Sequence, residues 1–124
     1  MARILLAEDD PAVREFVRRA LAHSGHEVTA VDDGLAAIEA LAGATFDLLI
    51  TDIVMPGMDG IALALKVSKD QPNLPILMMT GYAAERQRAH NLEALIHKVI
   101  AKPFTLRDIC NAVAETLARP RAAA

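Results

Sequence analysis

Short apolar runs alternate along this chain with segments whose apolar residues recur at helical spacing. The runs are Arg3–Ala7, Glu27–Val31, Phe46–Thr51, Pro75–Met79 and Val99–Ala101, each bounded by polar or turn residues. Runs of that length read as strands buried in a parallel sheet. Between the first two, Val13, Phe16, Val17, Ala20 and Leu21 share one face of a helix. Asp10 is suited to cap that helix, Pro11 to open it and Gly25 to stop it. Leu35, Ile38, Leu41 and Ala42 predict a second helix, and Met58, Ile61, Ala62 and Leu65 a third. Leu106, Ile109, Cys110, Val113 and Leu117 predict a fifth, opened by Thr105 with Asp108 three residues on. The fourth, over Ala83 to Leu92, is mostly polar, so its narrow apolar face predicts loose anchoring or a binding role. Five strands and five helices in strict alternation predict an α/β domain, one parallel sheet with helices on both faces.

Composition narrows this picture. At 124 residues the chain has room for one domain and one core. Its 53% apolar content excludes a disordered chain, and a formal charge of −3 argues against a nucleic-acid binder. The single cysteine, Cys110, excludes a disulfide framework or a cysteine zinc site and suits the cytoplasm. No apolar stretch is long enough to cross a membrane, and the first residues lack a signal-peptide pattern. Cys110 lies on an apolar stripe and is expected in the core; the four histidines are scattered without metal-ligand spacing.

Candidate chemistry collects at the carboxyl ends of the strands, where ligands bind in folds of this class. Strand 1 is followed by Glu8, Asp9 and Asp10, strand 3 by Asp52, strand 4 by Thr80 and strand 5 by Lys102. Without those four acids the formal charge would be +1, so the acidity is local. Carboxylates crowded on one rim need a cation, and hard oxygen ligands suit Mg²⁺. A metal site, a carboxylate nucleophile, a hydroxyl and a lysine together suit phosphoryl transfer, in which charge spreads over three phosphoryl oxygens. By themselves, the acids after strand 1 would read as a solvated turn with a helix cap, and Asp59-Gly60 as turn chemistry.

Ile4-Leu5-Leu6-Ala7-Glu8-Asp9-Asp10-Pro11, Asp52-Ile53-Val54-Met55-Pro56-Gly57-Met58-Asp59-Gly60, Thr80-Gly81 and Lys102-Pro103-Phe104 give the chain a resemblance to the receiver domain of bacterial two-component response regulators. It covers residues 1 to about 118. The resemblance implies a flavodoxin-like, doubly wound five-stranded sheet of order 2-1-3-4-5 with five helices. It implies Asp52 as phosphoacceptor, with Thr80 and Lys102 serving the phosphoryl group. It also implies a Mg²⁺ site of Glu8, Asp9, Asp52 and the Val54 carbonyl. A histidine kinase or histidine phosphotransferase would then be the phosphoryl donor. Many receivers carry Tyr or Phe where this chain has Val99, and Tyr82 is the nearby aromatic that can take a related role.

Within the family, Thr51 to Gly60, Thr80-Gly81-Tyr82-Ala83, Leu106-Arg107-Asp108-Ile109 and the alanine-rich end are similar to CpdR-type single-domain regulators. That similarity implies control of the ClpXP protease and its substrates, on when unphosphorylated and off when phosphorylated. With no output domain after the fifth helix, the output surface is expected on helix 4, strand 5 and helix 5. Residues 119–124 are expected to fray and to resemble a degradation tag. Two alternatives remain within signalling: a stand-alone CheY-like receiver or a phosphorelay intermediate. A Mg²⁺-dependent phosphatase or phosphotransferase is the alternative of another class. Haloacid-dehalogenase-type phosphatases need a second Asp two residues after the nucleophile, where this chain has Val54. An FMN carrier needs a phosphate loop where Glu8-Asp9-Asp10 would repel the phosphate. The chain therefore reads as a signalling module that catalyses only its own phosphotransfer and dephosphorylation, not as an enzyme.

Overall fold

The structure, a computed structural model, describes residues 1–81, 87 and 96–118. In chain order its elements are β1 (Arg3–Ala7), α1 (Pro11–His23), β2 (Glu27–Val31), α2 (Gly34–Gly43), β3 (Leu48–Asp52), α3 (Gly60–Asp70), β4 (Ile76–Thr80), β5 (Lys98–Ala101) and α4 (Leu106–Ala118). The α4 helix is the fifth of the sequence pattern. The helix expected over 83–92, Tyr82 and the tail 119–124 lie outside the described residues. All four strand pairings are parallel, and the sheet order is β2-β1-β3-β4-β5.

Alternation along each strand divides the core in two. Leu5, Leu49, Ile76 and Met78 pack under α2 and α3 with Leu63 and Val67. Ile4, Leu6, Ile50, Leu77 and Met79 pack under α1 and α4 with Val17, Leu21, Ile109 and Val113. An aspartate caps each of the first three helices. The carboxylates of Asp10, Asp33 and Asp59 accept the backbone N–H of Ala12 at 2.9 Å, Ala36 at 2.8 Å and Ala62 at 2.9 Å. At α4, Thr105 N–H donates to Asp108 Oδ2 and Asp108 N–H to Thr105 Oγ1, a reciprocal box like that expected.

Two helical faces differ from the sequence expectation. Leu35 and Leu65, placed there on the inner stripes of their helices, are exposed. The α3 helix begins at Gly60 and turns Gly60, Leu63, Ala64 and Val67 inward. Of the expected stripe, Met58, in the preceding loop, and Ile61 pack at the margin of the core, while Ala62 and Leu65 face outward. On α2 the fully buried positions are Gly34 and Ala37, with Ile38 and Leu41 packed at the margin. Cys110 is half-buried rather than central, with its sulfur 3.4 Å from Ser24 Oγ.

Candidate functional site

Strand register sets the height of each candidate group. Ala7 pairs with Thr51, so Glu8 stands level with Asp52 one residue beyond. Asp52 pairs with Met79, which puts Thr80 one step higher, and Thr80 pairs with Ala101, which puts Lys102 higher again. Parity sets the face. Glu8 continues Ile4 and Leu6, Asp52 continues Leu48 and Ile50, and Lys102 continues Ile100, all on the α1–α4 side of the sheet. Three side chains far apart in sequence are therefore aimed at one point.

They meet there. Lys102 Nζ lies 2.8 Å from Glu8 Oε1 and 3.1 Å from Asp52 Oδ2. Carboxylate oxygens of Glu8, Asp9 and Asp52 all lie within 4.8 Å of one another. Glu8 is fully buried, Asp52 nearly so, and Asp9 exposed. The other Glu8 oxygen accepts the Asp10 N–H at 3.1 Å, and the Glu8 carbonyl accepts Arg14 Nη1 at 2.9 Å. Asp52 Oδ1 accepts the Ile53 N–H at 2.9 Å.

Burial pushes the Glu8 carboxyl up to about 7, and the hydrogen bonds from Lys102 and Asp10 only partly counter it. Burial alone would lower the Lys102 ammonium, but the bond to Glu8 and the charge of Asp52 more than offset this and raise it. Among the described residues, the Lys102 ammonium thus pairs with two carboxylates, and Asp9 adds a third to the cluster. That surplus of hard oxygen donors, on a partly open rim, fits a small divalent cation that keeps some of its water.

Thr80 ends β4 and is fully buried, and its Oγ1 has no hydrogen-bond partner among the described residues. Its carbonyl accepts the Lys102 N–H at 2.7 Å, which couples the two residues through the backbone. Val54 is exposed in the loop after β3. An open cleft of about 770 Å³ leads to the site past Asp9, Asp52, Val54 and Lys102, with Phe16 and Phe104 on its walls. Val99 is partly exposed on β5, with no aromatic ring at that place. Every site residue singled out from the sequence is at this rim. The sequence reading missed Arg14 as a bracket on the Glu8 backbone. It also took Asp59-Gly60 for a simple turn, whereas Asp59 caps α3 and Gly60 opens it.

The model of the response regulator receiver domain family matches residues 4–114. The chain belongs to this family. Receiver domains are signalling modules of two-component systems and bind Mg²⁺ at an acidic pocket of the kind formed here by Glu8, Asp9 and Asp52. Among curated receivers, the chain is 45% identical to the response regulator receiver protein CpdR of Brucella abortus over 94% of its own length and 98% of that protein. It is 40% identical to FleR of Pseudomonas aeruginosa, but spans only 24% of that longer regulator. Among solved receivers, it superposes on TrrA of Thermotoga maritima, determined in complex with Mg²⁺-BeF, with a TM-score of 0.84 and 27% identity over 94% and 99% of the two chains. A response regulator of Chloroflexus aurantiacus gives 0.87 at 31% identity over 95% and 98%. Among the described residues, no helix is long and apolar enough to cross a membrane.

Proposed function

We propose that this receiver is a cytoplasmic, CpdR-like switch. It takes a phosphoryl group onto Asp52 from a histidine kinase or histidine phosphotransferase, and thereby changes its hold on protein partners, ClpXP and its substrates among them. The observation that carries the reading is the Asp52 carboxylate at the end of β3, clustered with Glu8 and Asp9 and 3.1 Å from the Lys102 ammonium. The 45% identity to CpdR along nearly the whole of both chains supports the finer part. The receiver domain spans residues 1–118, and the tail is 119–124.

Asp9, Asp52 and the Val54 carbonyl would hold Mg²⁺, with Glu8 completing the acidic set. Bound there, the ion supplies positive charge to the phosphoryl oxygens. Asp52 Oδ attacks phosphorus in line, a P–O bond forms as the P–N bond of the donor phosphohistidine breaks, and the leaving imidazole takes a proton from solvent. Lys102 offers an ammonium to one phosphoryl oxygen, and the Thr80 hydroxyl, unpaired among the described residues, can donate to another. A proton donor two residues after Asp52 would favour turnover of external esters, but that residue is Val54. The chain accordingly turns over only its own acyl phosphate.

The test is capture of purified unfoldase ClpX by immobilised receiver: unmodified, treated with a small acyl phosphate and Mg²⁺, or carrying Asp52→Ala. The reading expects capture by the unmodified and Asp52→Ala proteins and its loss on phosphorylation of the first alone. Equal capture by all three, or by none, contradicts the ClpXP part.

A further inference from the structure

The three carboxylates of the cluster are not held alike. Glu8 is buried and bonded to Lys102 and to the Asp10 N–H, and Asp52 is bonded to Lys102 and to the Ile53 N–H. Asp9 is exposed, and among the described residues no donor holds its carboxylate. Its place among them is set by the main chain on either side. After Asp9, the Asp10 carboxylate caps α1 at the Ala12 N–H, 2.9 Å away, and the Asp10 carbonyl accepts the Arg14 N–H at 2.9 Å. Before Asp9, Glu8 N–H donates to the Val31 carbonyl at 3.1 Å and closes the ladder between β1 and β2. A parallel ladder would next bring the Asp33 N–H to the Glu8 carbonyl, but the chain has turned there and Asp33 caps α2. Arg14, in the first turn of α1, reaches back instead, and its Nη1 donates to that carbonyl at 2.9 Å.

We propose that Arg14 is a positioning residue for the metal site: its guanidinium fixes the peptide between Glu8 and Asp9, and through that peptide aims the Asp9 carboxylate at the other two. The inference rests on the function proposed above. The direction of the Glu8 carbonyl is the ψ angle of Glu8, and that angle decides where the chain carries Asp9. The Glu8 N–H and carboxylate are bonded elsewhere, so the Arg14 bond is the one that holds this angle. Mg²⁺ demands near-ideal octahedral geometry with short bonds, so a carboxylate that must first be brought into place binds it less tightly. The charge of Arg14 acts the other way. A guanidinium one residue from the ligand carboxylates repels a cation, so its removal should tighten Mg²⁺ on charge alone. Positioning predicts weaker binding, and the sign of the change separates the two effects.

The experiment is titration of the full chain with Mg²⁺, followed by amide chemical shifts. The relaxation of the Asp9 amide is measured alongside in EDTA, and thermal unfolding checks each fold. Wild type, Arg14→Met, Arg14→Lys, Arg18→Met and Asp9→Ala are compared. Arg14→Met keeps the length of the side chain and loses the donor; it should weaken Mg²⁺ about tenfold, and its metal-free Asp9 amide should be more mobile than that of wild type. Arg14→Lys restores a donor without the planar fork and should fall between the two, at least about threefold weaker than wild type. Arg18→Met removes the same charge one turn on, where the guanidinium pairs with Glu15, and should leave Mg²⁺ within about twofold. Mg²⁺ bound by Arg14→Met as tightly as by wild type, or an Asp9 amide as ordered as in wild type, overturns the proposal. If Arg14→Met does not fold, Arg14→Lys decides: the threefold loss with a loosened Asp9 amide upholds the proposal, and wild-type affinity overturns it. Equal binding of Mg²⁺ by wild type and Asp9→Ala is a distinct outcome, which overturns the metal site itself and this inference with it.

Discussion

Lys102 and Glu8, 94 positions apart in the chain, meet as a 2.8 Å ion pair with the carboxylate wholly buried. Burying a carboxylate is unfavourable even beside an ammonium, because desolvation outweighs the partner's attraction. The raised Glu8 carboxyl has a consequence for stability. Its folded value, about 7, lies above its ordinary 4.5, so its contribution to stability is full below pH 4.5 and is lost as pH rises through 7. In EDTA, wild type should lose stability between those limits relative to Glu8→Gln, by a few kcal/mol at most. Urea unfolding of both proteins at pH 5 and pH 8 checks the difference, and parallel profiles would count against the buried charge.

Metal binding should relieve the same crowding. At ten times its dissociation constant, Mg²⁺ should stabilise wild type by about 1.4 kcal/mol. Asp9→Ala should remove that gain, and with one fewer carboxylate should leave the metal-free protein as stable as wild type or more so. Calorimetry with and without Mg²⁺ measures both.

Thr80 buries a hydroxyl with no partner among the described residues, which costs stability in the unphosphorylated state. Thr80→Val should raise the unfolding free energy by about 1 kcal/mol. The same variant should still label on Asp52 but lose the phosphorylation-dependent change in partner binding. A stability loss in denaturant unfolding would show that the hydroxyl is satisfied in solution.

Gly60→Ala should cost at least about 2 kcal/mol, since its Cβ meets the backbone of Asp52 rather than a yielding side chain. Gly43→Ala, in open space, should be neutral or stabilising. Thermal unfolding of the two variants distinguishes close packing from helix propensity.

Much of the site was legible because strand arithmetic is simple. Glu8, Asp52 and Lys102 each follow a short apolar run at a parity that puts them on one face, and sheet order does the rest. The Asp10 cap was equally readable, since Asp10 and Pro11 carry their own local signal, whereas the caps at Asp33 and Asp59 were not. The faces of α2 and α3 were less so. Apolar residues surround both helices, and choosing among stripes requires knowing that Gly34 and Gly60 must pack closest. Their contacts, to Met58 and to Asp52, join residues whose proximity only the folded sheet creates. The partial exposure of Cys110 depends likewise on how α1 and α4 cross.

Asp52 alone is expected to receive the phosphoryl group. Intact-protein mass spectrometry after incubation with a small acyl phosphate and Mg²⁺ tests it most directly. Wild type should gain the mass of one phosphoryl group, lost again in base as an acyl phosphate requires, and Asp52→Asn should gain none. Equal labelling of Asp52→Asn would contradict the account.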